Sequence, residues 1–225
     1  MERTMKKYGN ITLINIVSDE PMEWDISGAT HVRVSLPPSP KSAVIMQHMG
    51  YQFVDRMLNV SVNLKKIDDN LKKAIRVKAV LEAGRREEIL ELAIKSFARD
   101  RRFHLEAEYN DEIAAQVIKG YMEEIPEFYI STNKGVLTGF LGLKESEEEK
   151  NAAIYLAAVD ERYRISGAAL SLYASALFDG AVKGFKNITG YISTANPSVI
   201  NLYAYFGGVF SNPQDIYIKK IEGRK

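Results

Sequence analysis

The chain has 225 residues, 46% of them hydrophobic and 26% charged, a balance that fits an ordinary globular protein able to bury a sizeable core. A net charge of +1 gives no electrostatic argument for nucleic acid or an anionic membrane surface. Cysteine is absent, which excludes thiolate catalysis, disulfides and cysteine-held metals, and His31, His48 and His104 are too dispersed for a metal site or a triad.

The first apolar stretch, 11–17, is too short and too interrupted by Asn15 for a leader, and no run reaches membrane-spanning length. A cytoplasmic protein without membrane insertion is expected. Strands are predicted at 10–18 and 30–36. Pro37, Pro38 and Pro40 then break the chain, and 41–49 makes a short helix before Gly50. Residues 51–64 alternate as a strand, with Phe53, Met57, Val60 and Val62 as its apolar positions. The lysine- and aspartate-rich stretch 65–73 reads as a linker. This divides the chain into a small N-terminal domain, 1–70, and a main domain, 71–225.

In the main domain a strand at 75–80 precedes a helix over 84–98, in which Ile89, Leu90, Ala93, Ile94 and Phe97 keep helical spacing. A second helix covers 111–124, with Asp111 at its start and Pro126 beyond its end. Residues 127–132 and 136–144 form a hairpin turning at Asn133-Lys134-Gly135. A buried strand at 152–159, a long helix at 167–183, a strand at 188–194 and a helix at 197–205 opened by Pro197 follow. Closing strands occupy 210–221. The fold class is a mixed α/β sheet. Gly50-Tyr51-Gln52-Phe53 echoes Gly207-Gly208-Val209-Phe210. Either glycine–aromatic strand starts are simply common, or residues 1–70 are a shortened copy of the second half of the fold.

Two segments carry chemistry. Between the strand at 152–159 and the long helix, Ser166, Gly167, Ala168 and Ala169 let backbone N–H groups approach a ligand, and the helix presents its positive end there. That arrangement favours a pyrophosphate. Downstream, the helix at 197–205 carries Tyr203 and Tyr205; core packing competes with a catalytic role for either.

Arg164-Ile165-Ser166-Gly167-Ala168-Ala169 fits the pattern (Q/R)-x-x-G-x-(G/A). Asn196, Tyr203 and Gly207 fit N-x-x-(A)-x-x-x-Y-x-x-x-G, with Val199 in place of the alanine and Gly208 in place of the usual phenylalanine. In these residues the chain resembles the GNAT acetyltransferases. The resemblance implies an acyl-CoA N-acyltransferase fold with a truncated N-terminal α/β domain, and acetyl-CoA as cofactor. It implies that the backbone of Arg164, Ile165, Ser166, Gly167, Ala168 and Ala169 holds the pyrophosphate, while Ala157, Ala158 and Val159 run beside the pantetheine arm. Asn196 contacts the cofactor or caps its helix. Tyr203 becomes the general acid, since a phenol can protonate the departing thiolate. Many relatives place a glutamate on the strand before the loop; 152–159 has no carboxylate, so no base is named: a water relay can take the proton, Glu161 or Asp160 could serve, and a surface role for both is the competing reading.

The layout of a short N-terminal domain ending in Gly50–Asp55, with Ser96–His104 closing the first core helix, further resembles the TDP-fucosamine acetyltransferase group. That resemblance implies a nucleotide-linked amino sugar acceptor for surface polysaccharide synthesis. A nucleotide diphosphate calls for cations beside an aromatic surface, which Arg99, Arg101, Arg102 and Phe103 offer. A solvated basic helix end accounts for the same residues. Another small amine, a protein N-terminus, or a non-catalytic acyl-CoA sensor remain open readings, as does a homodimer.

Overall fold

The computed structural model describes residues 1–67, 79–82, 84–105 and 109–221. Its ten strands form one sheet: β1 (Glu2–Tyr8), β2 (Ile11–Val17), β3 (His31–Leu36), β4 (Gln52–Asn63), β5 (Val80–Glu82), β6 (Phe128–Asn133), β7 (Val136–Ser146), β8 (Asn151–Val159), β9 (Asn187–Ser193) and β10 (Val209–Lys220). The helices are α1 (Pro40–His48), α2 (Arg86–Phe97), α3 (Arg101–His104), α4 (Asp111–Glu123), α5 (Ala168–Val182) and α6 (Pro197–Tyr205). On one face α2, α3 and α4 pack over Leu13, Phe128 and Phe140. On the other, α5 and α6 cover Val60, Leu141 and Ile188, and α1 covers Val32, Val34 and Tyr217. Among the described residues no helix is long and apolar enough to cross a membrane.

The strand order is β1-β2-β3-β10-β4-β9-β8-β7-β6-β5. Its first eight members read alike from either end. β1 and β2 are antiparallel, as are β7 and β8; β2 and β3 are parallel, as are β8 and β9. Each set is then completed by the other's last strand, β10 beside β3 and β4 beside β9, and these two exchanged strands pair with each other. Residues 1–67 therefore share one continuous sheet with the rest of the chain.

The correspondence extends to α1 and α6. Each has nine residues, with proline in its first turn and a polar N-cap: Ser39 accepts from the Ser42 N–H, and Asn196 from the Val199 N–H. Each ends at a glycine of positive φ, 79° at Gly50 and 73° at Gly207. The next N–H closes the helix on an equivalent carbonyl, Tyr51 on Met46 at 2.9 Å and Gly208 on Tyr203 at 2.8 Å. Met46 and Tyr203 thus hold the same place in two helices built alike.

Most predicted elements lie within a residue or two of their expected bounds, but some differ. β1 escaped prediction because it is a charged edge strand with no apolar alternation, which suits an edge that must not recruit partners. Residues 96–104, expected to close the first core helix, instead divide: α2 stops at Phe97 and α3 is a separate short helix. Of the strand predicted at 75–80, residues 75–78 lie outside the described residues, and β5 begins at Val80. Most of the expected linker at 65–73 and the boundary at 70 lie outside them as well. β4 is covered on both faces, so Met57 and Val60 are both buried yet point to opposite sides, whereas Phe53 is exposed.

Candidate active site

The parallel strands β8 and β9 pair over only four positions, from Asn151↔Asn187 to Ile154↔Gly190. Beyond that they part, although both continue. The cause is a bulge in β8: Leu143 and Gly142 of β7 face Ile154 and Leu156, leaving Tyr155 as the extra residue. From Tyr155 onward β8 pairs with β7 alone, and its edge toward β9 is open. A cavity of about 760 Å³ fills the fork and runs under α4 toward β2 and β3.

Tyr203 stands at the base of this fork. It is 1% exposed, lines the cavity, and its hydroxyl makes no hydrogen bond of good geometry, with the Tyr173 hydroxyl as its polar neighbour. The Tyr173 ring meets it edge-on at 5.2 Å. Burial, and then the neighbouring Tyr173, push the Tyr203 phenol well above its ordinary value, while burial raises Tyr173 to about 12. The hydroxyl fits only because residue 190 is glycine: a β-carbon there would lie 2.3 Å from the Tyr203 oxygen. Tyr205, the sequence competitor, is 57% exposed and does not line the cavity. Asn196 both caps α6 and lines the cavity, so its two expected roles coexist.

The turn into α5 lies beyond the C-terminal end of β8, where open α/β sheets hold ligands. Gly167 is its N-cap with φ of 86°, a left-handed conformation, and supplies no capping side chain. The Ala168 N–H meets only Ser166 Oγ, at 3.4 Å, and Ser166 itself donates to the Tyr163 carbonyl. Arg164, Ile165 and Ser166 are exposed, Ile165 completely. Ala168 is buried and Ala169 half-buried beneath them. Apart from that long Ser166 contact, a fifteen-residue helix offers an exposed N-terminus with no cap from its own N-cap residue next to the fork. Ala157 lines the cavity, while Ala158 and Val159 continue the open edge toward this turn.

Asp160 is no base. It is buried, caps the turn through the Arg162 N–H and is bound by the Arg162 side chain, whose hydrogen bonds hold its carboxyl well below the usual range. Glu161 is exposed. A carboxylate beside the cavity wall is Asp55 on β4, with a 15% exposed side chain. Ser193 Oγ donates to it at 2.9 Å, and the Arg102 Nε lies 3.6 Å away; both of those residues line the cavity. Burial nevertheless pushes the Asp55 carboxyl up.

The basic cluster divides. Arg102 and Phe103 line the cavity; Arg99 and Arg101 do not. Arg99 stacks over Tyr109 at 5.5 Å. Arg102 is matched by Asp100, which accepts from Nε at 2.8 Å, and Phe103 is packed against Phe97 and Tyr121. Sequence reasoning missed Arg33, Asn15 and Ser35, which also line the cavity. They alternate with Val32, Val34 and other core residues, and such alternation reads as a solvent face. Gly190 carried no local signal.

The fold has solved counterparts at low sequence identity. A conserved protein of unknown function from Staphylococcus epidermidis aligns with 95% of this chain and 86% of its own, at 15% identity and a TM-score of 0.67. A GNAT-family acetyltransferase structure from Novosphingobium aromaticivorans aligns with 85% of this chain and 75% of its own, at 15% identity and 0.56. A tandem GNAT protein from the clavulanic acid biosynthesis pathway aligns with 88% and 66%, at 11% and 0.54. No curated protein matches by sequence. Residues 82–207, more than half of the chain, match the model of the acetyltransferase (GNAT) family, and the chain belongs to that family of N-acetyltransferases.

Proposed function

We propose that this chain moves an acetyl group from acetyl-CoA to a primary amine seated in the cavity, with Tyr203 as the proton donor. The observation that carries this is the Tyr203 hydroxyl: buried, without a hydrogen bond of good geometry, and placed where β8 and β9 part. The surrounding residues fit coenzyme A. Small residues and the exposed N-terminus of α5 receive a pyrophosphate, and the open edge of Ala157, Ala158 and Val159 receives an amide-bearing arm as a further strand does. Acetyl-CoA supplies an activated acyl group on a thiol leaving group. Tyr203 holds its proton at the fork and delivers it to the departing sulfur. Because burial holds its phenol above the ordinary value, Tyr203 stays protonated through mildly alkaline pH, and an alkaline loss of kcat must arise elsewhere. Asp55, paired with Ser193, is the chain's own site for the amine proton on the far side.

A nucleotide-linked amino sugar is a narrower version of this reading, supported by Arg102 and Phe103 in the cavity wall. With Arg102 already matched by Asp100, and Arg99 and Arg101 outside the cavity, a primary amine is the better supported acceptor class.

The test is Tyr203→Phe. Its kcat should fall roughly ten- to a thousandfold with the calorimetric affinity for coenzyme A unchanged. Melting temperature should change little, because the hydroxyl has only the Tyr173 hydroxyl beside it and no hydrogen bond of good geometry. Normal turnover would remove Tyr203 from the chemistry. Absence of acetyl transfer by the parent enzyme to a broad panel of amines, with coenzyme A still bound, would favour an acyl-CoA sensor.

A further inference from the structure

The far end of the cavity is built by strands of the N-terminal half, and it contains a guanidinium with an unmet demand. Arg33 projects from β3 into this end. Its Nη1 donates to the Tyr121 hydroxyl at 3.0 Å and its Nη2 to the Arg102 carbonyl at 2.5 Å. Its Nε is buried and has no partner. No carboxylate among the described residues forms an ion pair with it, whereas Arg102 beside it has Asp100 and Asp55. A guanidinium carries five N–H donors in a planar fork; the two bonds above use one on each Nη, and the buried Nε–H is left without an acceptor. An oxygen of a carboxylate or phosphate is the acceptor such a charged donor binds best. A buried charged donor without an acceptor is costly, so it marks a place where a ligand completes the structure.

The neighbours fit the same chemistry. Asn15 is the register partner of Arg33, and Ser35 follows two residues on; both line the cavity and are neutral hydrogen-bonding groups. The Arg33 charge, 3.0 Å from the Tyr121 hydroxyl, is also the first cause that lowers the Tyr121 phenol.

We propose that Arg33 is the anion subsite of the acceptor: the amine that enters the cavity carries a carboxylate or phosphate, which docks on the unpartnered Nε–H of this guanidinium. The assignment of that anion to an acceptor rests on the acyl-transfer reading of the cavity; the anion site itself does not.

Two measurements test it. Protein saturated with coenzyme A, so that the α5 terminus is occupied, is melted with increasing inorganic phosphate or acetate. One of these should raise the melting temperature of the parent protein but not of Arg33→Gln, with Arg33→Lys intermediate. Phosphate or acetate responding identifies which oxyanion is held. Acetyl transfer is then compared within two matched pairs, lysine against cadaverine and glucosamine 6-phosphate against glucosamine. The anionic member of one pair should be favoured about tenfold or more in kcat/KM, as a charge-assisted contact provides, and Arg33→Gln should erase the preference without changing the KM for acetyl-CoA. No anion response in the parent protein, or one that survives in Arg33→Gln, overturns the proposal. An intact, Arg33-dependent anion response in protein that fails to transfer acetyl groups supports the site and defeats the transferase reading instead.

Discussion

The two ends of the sheet are built on one plan, and only one of them opens. In the N-terminal half, β2 and β3 stay paired from Leu13↔His31 through Val17↔Ser35, and residues 18–30 connect them without a helix. In the C-terminal half, β8 and β9 part after Ile154↔Gly190, and the connection carries α5. A fork therefore needs two things that the first half lacks, a bulge that bends one strand away and a helix whose N-terminus faces the gap. Where α1 and α6 match turn for turn, the first places Met46 in a closed core and the second places Tyr203 at the fork. The same backbone position serves packing in one half and, on the proposed function, proton donation in the other. The N-terminal half still contributes to the site, through β3 and β4, which bring Arg33, Met57 and Asp55 to the cavity or its rim.

Met46→Ala gives the largest expected effect. Met46 is fully buried, so its removal should cost about 2–5 kcal/mol of unfolding free energy in denaturant titration. The kcat of the folded protein should be unchanged. A fall in kcat as large as that of Tyr203→Phe would break the contrast between the two helices.

Gly190→Ala sharpens the other side of the contrast. The new β-carbon would lie 2.3 Å from the Tyr203 oxygen and 2.9 Å from its ring carbon, so the tyrosine must move. A cost of about 1–3 kcal/mol is expected, with a kcat loss approaching that of Tyr203→Phe. In the double variant the missing hydroxyl removes the closer of the two contacts, and the two losses should be less than additive. Strict additivity in both stability and rate would show that Gly190 does not act through Tyr203.

The smallest effect separates two glycines of similar conformation. Gly167 and Gly50 have φ of 86° and 79°, and a β-carbon at either meets no atom closer than 3.6 Å. Gly167→Glu and Gly50→Ala should each lose about 1–2 kcal/mol to backbone strain. Only Gly167→Glu should weaken coenzyme A, by about tenfold or more in calorimetry, because a carboxylate then faces the pyrophosphate. Equal affinities in the two variants would place the pyrophosphate elsewhere.

What the sequence determined by itself was local. Pro197 and Asn196 start α6, Gly167 starts α5, and Lys134 and Gly135, both at positive φ, close the hairpin between β6 and β7. Each of these follows from the conformational preferences of a few neighbouring residues, so the expected bounds lie close to the observed ones. The spacing from Arg164 to Tyr203 followed from the same elements in the same order. Tertiary structure decided the rest. The exchange of β4 and β10 joins residues more than 140 positions apart, and no local pattern chooses a strand's neighbour. Arg33 and Ser35 look like solvent-facing positions until α4 covers that face and turns it into a cavity wall. Arg102 and Arg99 are three residues apart, yet one lines the cavity and the other does not. Periodicity assigns a side chain to a face of its strand or helix, but whether that face meets solvent, core or ligand depends on which distant segment packs upon it.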